Sequence, residues 1–397
     1  MSTNPSVSRA LSRADVTAVL VAMAAGVLLG PALATAEDSQ ERGLTWETSV
    51  GAIPSWALLD APPAASVESP QQATAGADVT DDYVFVFPPD LGLGMDVNNQ
   101  RQVVGLDTLT QGGVLIDHGV VTPIMVPGSF FTQPTNINEQ GEIVGHFRPT
   151  EESPMMGFHR DRDGVFTTIV YPDPAAESTF LWGLNDQGDI VGDFRTAEFV
   201  QTPFILDQHG DFAILDVPGD GNAVALGINN RGTISGWFLD EAGVSKGYLL
   251  EGEDASVVVY PGAFSSDVGR VNNNGLANGI HFTPPMSAGS YLRTEEGEFF
   301  DFVVPGFGAT LMRGINDHGD QCGAVSIDLF SPPQGFAGFR YNADLDGDDV
   351  VGFADLALLL GAWGDCPARP ETCPADFDAD GSVGFSDLLL VLANWTM

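Results

Sequence analysis

Positive charge is scarce in this 397-residue chain: 15 Lys and Arg stand against 54 Asp and Glu, for a net charge of −39. Such a field repels polyanions and anionic bilayer surfaces, so nucleic acid is excluded as a partner while cations and neutral partners remain. The acid excess itself reads first as a solubility device. Cysteines number three, too few for a disulfide-dense scaffold. The six histidines are scattered, with His118, His209 and His318 in expected turns, and none cluster at zinc-ligand spacing. Neither a nucleophile motif nor a phosphate-cradling loop is found. Carboxylate pairs for glycoside cleavage could sit among the acids, but sequence alone does not pair them. Long apolar runs are missing too. The longest, Val16 to Leu29, falls short of the ~20 residues a membrane helix needs, so no span is expected in the mature chain.

That run has a different use. Arg9 and Arg13 precede it, and Ala34-Thr35-Ala36 follows as a small-x-small cleavage site. Residues 1–36 therefore read as a secretory signal, which makes the protein secreted, extracellular or at the cell surface. Residues 37–80, rich in Ala, Pro, Ser and acids, read as a flexible linker, with any local order centred on Trp46 and Trp56.

What the chain has in quantity is a repeat. Asn138-Glu-Gln-Gly141, Asn185-Asp-Gln-Gly188, Asn229-Asn-Arg-Gly232, Asn272-Asn-Asn-Gly275 and Asn316-Asp-His-Gly319 recur, preceded by a copy without glycine, Asn98-Asn-Gln-Arg101. Asn first and Gly fourth suit a type I turn ending in a left-handed residue, the loop of a β-hairpin. The starts at 98, 138, 185, 229, 272 and 316 lie 40 to 47 residues apart, a period of about four strands. Each unit closes on a proline: Pro88, Pro127, Pro172, Pro218, Pro261 or Pro305. The region enters on a lone strand, Tyr83–Phe87, and leaves on a strand lacking its outer neighbour, Gly335–Tyr341. Joining these leftovers gives a closed ring, a mainly β, six-bladed β-propeller over 81–341. The Asn-x-x-Gly run followed by Ile-Val-Gly-x-Phe resembles the HAF repeats of bacterial extracellular proteins. That resemblance implies a secreted repeat domain and supplies no catalytic residues. The repeated Asn residues read as turn formers. Ligand positions are sought where the repeats differ: His146, Asp193, Trp237, Ile280 and Ala324 after the strand glycine, and Trp182. For Trp182 and Trp237, packing against a neighbouring blade is weighed above stacking on a sugar. Cys322, in register with Val144 and Val191, reads as a small buried residue.

Residues 342–397 differ in character. Asp344, Asp346, Asp348 and Asp355 repeat 32 residues on as Asp376, Asp378, Asp380 and Asp387. Oxygen ligands at loop positions 1, 3, 5 and 12, with carbonyls of Val350 and Ser382 at position 7, outline two EF-hand-type calcium cages. Each loop leads into apolar residues at helical spacing: Leu356, Leu359, Leu360, Trp363, then Leu388, Val391, Leu392, Trp395. The paired Asp-x-Asp-x-Asp…Val-Gly-Phe-x-Asp-Leu loops resemble a type I dockerin of the GC variety, a small α-helical domain with paired EF-hand-like loops. The resemblance implies two calcium ions and a cohesin-like or cell-surface anchoring partner, touched through Phe353, Ala354, Phe385 and Ser386 at positions 10 and 11. These are not the Ser/Thr pairs of cellulosomal dockerins. Asp349 stands where loop 1 would carry glycine. Cys366 and Cys373 flank the segment between the loops, and export favours a disulfide between them.

The whole reads as a non-catalytic, secreted binding protein, with carbohydrate a further candidate ligand and a flexible attachment between ring and tail. Two alternatives stay open: a polysaccharide-degrading enzyme with its site on the propeller face, and a structural surface-layer component.

Overall fold

A computed structural model describes residues 83–107, 110–219, 221–284, 287–327, 331–347, 350–367 and 373–396. The expected signal (1–36) and linker (37–80) lie outside the described residues. Six four-stranded antiparallel sheets follow one another along the chain. Blade 2 is typical, with strands Phe131–Ile137, Ile143–Arg148, Met156–Arg160 and Phe166–Ile169 paired in sequence order from the inside outward. Blade 1 begins at Leu93–Val97, blade 3 at Ser178–Leu184, blade 4 at Ala223–Ile228, blade 5 at Ser265–Ser266 and blade 6 at Ala309–Ile315.

Blade 6 takes its fourth strand from the other end of the domain. Tyr83–Val86 pairs antiparallel with Gln334–Arg340, Tyr83 opposite Arg340 and Val86 opposite Ala337. The Tyr83 hydroxyl donates to the Gly319 carbonyl at 2.6 Å, across 236 residues of sequence. Phe85 sits edge-on to Phe302 of blade 5 and Phe336 of blade 6. The ring is thus closed as expected, with the first strand of the domain completing the last blade.

The Ile-Val-Gly-x-Phe pattern has a steric origin. A Cβ at Gly145, Gly192, Gly236 or Gly323 would lie 2.0 to 2.1 Å from a carbonyl oxygen of the inner strand, so only hydrogen fits. Aromatic rings of the third strand fill the space over three of these glycines: Phe158, Phe204 and Tyr248, each fully buried. Tyr248 keeps its hydroxyl satisfied by donating to the Val224 carbonyl at 3.1 Å. Between blades, aliphatic residues of one sheet face meet the next, as where Val104 and Ile124 of blade 1 pack with Ile137, Ile143 and Phe158 of blade 2.

The tail carries two nine-residue helices, α1 (Phe353–Gly361) and α2 (Phe385–Ala393). Their pairing is reciprocal. After α1, Gly364–Asp365 pairs with Ser382–Val383 of the second loop, and after α2 the Thr396 amide donates to Val351 O of the first at 3.0 Å. Trp363 meets Phe385 and Trp395 meets Phe353, both edge to face. The expected helix faces are only partly buried. Leu359 and Val391 reach the small core, whereas Leu360, Leu392 and Trp363 remain 52%, 49% and 42% exposed. A helix this short covers little surface, and two of them cannot enclose four apolar residues each.

Candidate metal loops and the channel mouth

The repeated Asn does more than form a turn. In each copy its Oδ1 accepts the amides two and four residues on, at 2.9 to 3.1 Å, which caps the hairpin loop. Its Nδ2 then donates to the backbone carbonyl of the equivalent Asn in the next blade. The links run from Asn98 through Asn138, Asn185, Asn229, Asn272 and Asn316 back to Asn98, at 2.8 to 3.4 Å. A second circuit lies on the next residue. Each amide of Asn99, Glu139, Asp186, Asn230, Asn273 and Asp317 donates to the side-chain oxygen of its successor, at 2.7 to 2.9 Å, and the last returns to Asn99. Sequence reading missed both circuits, because a cap and a bridge use opposite ends of one carboxamide and look alike in a repeat.

These circuits rim a polar cavity of about 70 Å³ on the ring axis. Its floor is a plug of three unlike residues, all two positions before the repeated Asn: Asp96, Asn136 and Arg270. Arg270 Nη1 donates to Leu226 O at 2.6 Å, and Nη2 to the carbonyls of Trp182 (2.8 Å) and Thr135. Its Nε lies 3.3 Å from Asp96 Oδ1, while Asp96 Oδ2 accepts from Asn136 Nδ2 and the Ile137 amide. Blades 3, 4 and 6 carry Gly183, Gly227 and Gly314 at this position, which leaves room for the plug; a Cβ at Gly314 would stand 2.5 Å from Asp96 Cα. Burial pushes the Asp96 carboxyl up to about 6 despite the facing guanidinium. On the rim, burial raises Glu139 to about 7, and Asp186, Asp317 and Asp96 add to that rise.

The positions singled out for repeat-to-repeat variation are mostly interior. His146, Asp193, Ile280 and Ala324 are buried, as is Trp182; Trp237 is half-buried. Trp182 Nε1 donates to Asp193 Oδ1 at 2.7 Å, Arg195 pairs with Asp193 Oδ2 at 3.0 Å and stacks on Phe180, and His146 lies 4.9 Å from both rings. Burial drives the His146 imidazole down to about 3. This packing spends Trp182, His146 and Asp193 on one another.

The tail holds two further acid clusters. Oxygens of Asp344, Asp346 and Asp355 lie within 4.8 Å of one another, and so do those of Asp376, Asp378 and Asp380. Asp348 and Asp349 lie outside the described residues, and Val350 is exposed on the loop. The last acid of each loop sits in the first turn of its helix and folds back. Asp355 accepts from the Gly352 and Leu345 amides at 2.6 and 2.8 Å, and Asp387 from Gly384 and Phe377 at 2.8 and 2.7 Å. Asp376 accepts the amides of Asp380 and Gly381, both at 3.1 Å, and Asp380 those of Ser382. Gly381 takes φ 91°, the left-handed geometry that the sixth loop position calls for. Burial, then the neighbouring carboxylates, lifts Asp376 to about 6. Hard carboxylate oxygens so gathered suit calcium. Asp376 also neighbours Cys366 and Cys373, but those sulfurs are joined to each other and offer no thiolate. Cys322 is free and fully buried. Phe353, Ala354, Phe385 and Ser386 are all exposed, Phe353 and Phe385 at 82% and 76%.

One expectation is corrected: the tail is not loosely tethered. Arg101 Nη1 donates to Asp376 O at 2.9 Å, Tyr341 packs on Phe377, and Ala379 joins the apolar cluster of blade 1. The strand preceding the tail ends at Arg340, which leaves almost no free chain to act as a tether.

No family model matches the chain, and no curated protein matches it. Among solved structures it is similar to a streptogramin B lyase (12% identity, TM-score 0.41, 66% of this chain and 99% of the other). It is also similar to a gluconolactonase from Xanthomonas campestris (10%, 0.45, 65% and 90%) and to the SapL1 lectin in complex with alpha methyl fucoside (12%, 0.41, 65% and 94%). The sheet topology itself sets the class, a six-bladed β-propeller.

Proposed function

We propose that the chain is an exported, non-catalytic binding protein whose ring recognises an extracellular ligand. In this reading its tail is a calcium-dependent module of the dockerin type that anchors the protein to a cohesin-like or cell-surface partner. The observation that carries the reading is the paired acid loops. Two loops whose acids repeat 32 residues apart gather carboxylate oxygens within 4.8 Å, those of Asp344, Asp346 and Asp355 in the first and those of Asp376, Asp378 and Asp380 in the second, and each loop leads into a helix whose third residue is aspartate, Asp355 or Asp387. Asp344, Asp346, Asp348 and Asp355 would hold one ion with the Val350 carbonyl, and Asp376, Asp378, Asp380 and Asp387 the other with that of Ser382. Calcium supplies positive charge that offsets the crowding of carboxylates. The chain supplies the rest: backbone amides aim the carboxylates of Asp344, Asp355, Asp376, Asp378, Asp380 and Asp387, and the reciprocal helix–loop pairing ties the two loops into one unit. The exposed Phe353 and Phe385, each two residues before its loop's last aspartate, are the surface offered to a partner. An enzymatic role draws less support, because the acids at the channel mouth are bonded to backbone amides of neighbouring blades. Calorimetric titration of the exported protein tests the reading. Two calcium ions bound per chain are expected, and a chain that takes up none at millimolar calcium overturns it.

A further inference from the structure

The one Asn-turn that departs from its pattern is the one that touches the tail. Five copies place glycine fourth, at φ between 78° and 91°; the first places Arg101 there, at φ 57°. A non-glycine residue in left-handed backbone carries strain. Its side chain has a use that glycine could not serve. Nη1 donates to the carbonyls of Asp376 (2.9 Å) and Phe377 (3.4 Å), and Nη2 to that of Arg340 at 2.6 Å. Nε faces the buried Asp320 of blade 6 at 3.5 Å. One guanidinium thus joins blade 1, blade 6 and the first two residues of the second acidic loop.

A second contact flanks the first. The outer hairpin of blade 1 turns at His118 and Gly119, both with positive φ, 47° and 70°. Gly381 of the loop lies against His118, where an added Cβ would come within 2.9 Å of the His118 Cβ, and a Cβ on Gly119 would be 3.3 Å from Asp380 O. The loop is therefore gripped at its first, second, fifth and sixth positions by blade 1.

We infer that the ring is part of the second calcium site: Arg101 and the His118–Gly119 turn hold that loop in its ion-binding shape, and calcium in return fastens the tail to the ring. The inference rests on the calcium reading proposed above. If ring contact raises the loop's affinity by some factor, calcium must raise the affinity of loop for ring by the same factor. The second loop is then a joint that sets the orientation of the Phe353 and Phe385 surface relative to the propeller.

Arg101→Gly is the suited variant, since it restores the residue of the other five copies and fits the positive φ, so the ring should fold. Calcium titration of the full chain should show one of the two sites weakened by about tenfold and the other unchanged. Arg101→Lys keeps the charge beside Asp320 but not the forked donors, and should weaken the same site. The reciprocal arm is Asp387→Ala. Hydrogen exchange at residues 117–120 of blade 1 should speed up in that variant with calcium present, although the substitution is in the tail. Unchanged affinities at both sites in Arg101→Gly, with unchanged exchange at 117–120 in Asp387→Ala, overturn the coupling while leaving two-ion binding intact. A wild-type chain that binds no calcium instead overturns the proposed function, and the coupling with it.

Discussion

Ring and tail solve the same problem, crowded polar groups, in opposite ways. At the channel mouth, Glu139, Asp186 and Asp317 sit in one circuit, yet each accepts an amide from the blade before it, and the side chains of Asn99, Asn230 and Asn273 share the circuit with the acids. The crowding is offset within the fold. In the tail, Asp376, Asp378 and Asp380 gather their oxygens with no amide side chain between them, over a core whose fully buried members are few. Internal satisfaction is expected to let the ring fold without an ion, whereas the tail is expected to depend on one.

The harshest way to break the ring's self-sufficiency is to remove its closure. Tyr83→Ala with Phe85→Ala deletes the Gly319 hydrogen bond and the rings that pack on Phe302 and Phe336. A loss on the order of 4 kcal/mol is expected from one buried and one half-buried aromatic. Hydrogen exchange should show blade 6, residues 309–340, opening first, although the altered residues lie over 220 positions earlier in sequence. Full protection there would mean that blade 6 does not need its borrowed strand.

Calcium removal tests the tail's side of the comparison. With chelator, the circular-dichroism signal of α1 and α2 should fall while the β signal and the main melting transition stay in place. Asp387→Ala should reproduce part of that loss by freeing the Phe377 and Gly384 amides. Helices that persist in excess chelator would place the tail alongside the ring as a self-satisfied fold.

Much of this was legible in one dimension, for identifiable reasons. The blade phase follows from the Asn-x-x-Gly turns, since a left-handed fourth residue constrains sequence strongly. The closing strand followed from two strands left over at the ends. The two circuits were not legible, because an Asn that caps its own turn gives no sign of where its Nδ2 points. Nor was the plug: Asp96, Asn136 and Arg270 are single departures from a small residue, spread over 174 positions, and only ring closure brings them together. Blade 5 shows the same limit. Its inner strand shrinks to Ser265–Ser266 because Asn278 bonds the Arg270 amide with its side chain and so takes over part of the ladder. Arg101 was visible as a missing glycine, but the meaning of the exception lay in the tail.

The circuits can be weighed link by link. Asn229→Ala removes a cap for two amides, Arg231 and Thr233, and a bridge to Asn272 O, at a buried site. A cost of about 2–3 kcal/mol is expected in chemical denaturation, since buried donors lose their acceptor. Asn229→Asp keeps the Oδ1 cap but not the Nδ2 donor. A loss similar to that of the alanine variant would assign most of the cost to the bridge, and a near-neutral result would reduce the circuit to six independent caps.

The finest test concerns charge on the rim. Glu139 has its carboxyl raised from 4.5 to about 7, by burial first and by Asp186, Asp317 and Asp96 after it. A raised folded-state value means that the protonated form is the better fit. Its contribution to stability is fully present below pH 4.5 and is lost as pH climbs through about 7. Glu139→Gln keeps an oxygen for the Asn99 amide and removes the charge, so it should match the wild type near pH 4.5. At pH 8 it should be the more stable by about 1 kcal/mol, a figure reduced for the partial exposure of the side chain. Melting curves of both proteins across this window, in chelator so that the tail does not contribute, read the difference directly. A gap that stays constant with pH would show that the neighbouring amides already neutralise the rim, leaving Glu139 as ordinary as its neutral counterparts Asn230 and Asn273.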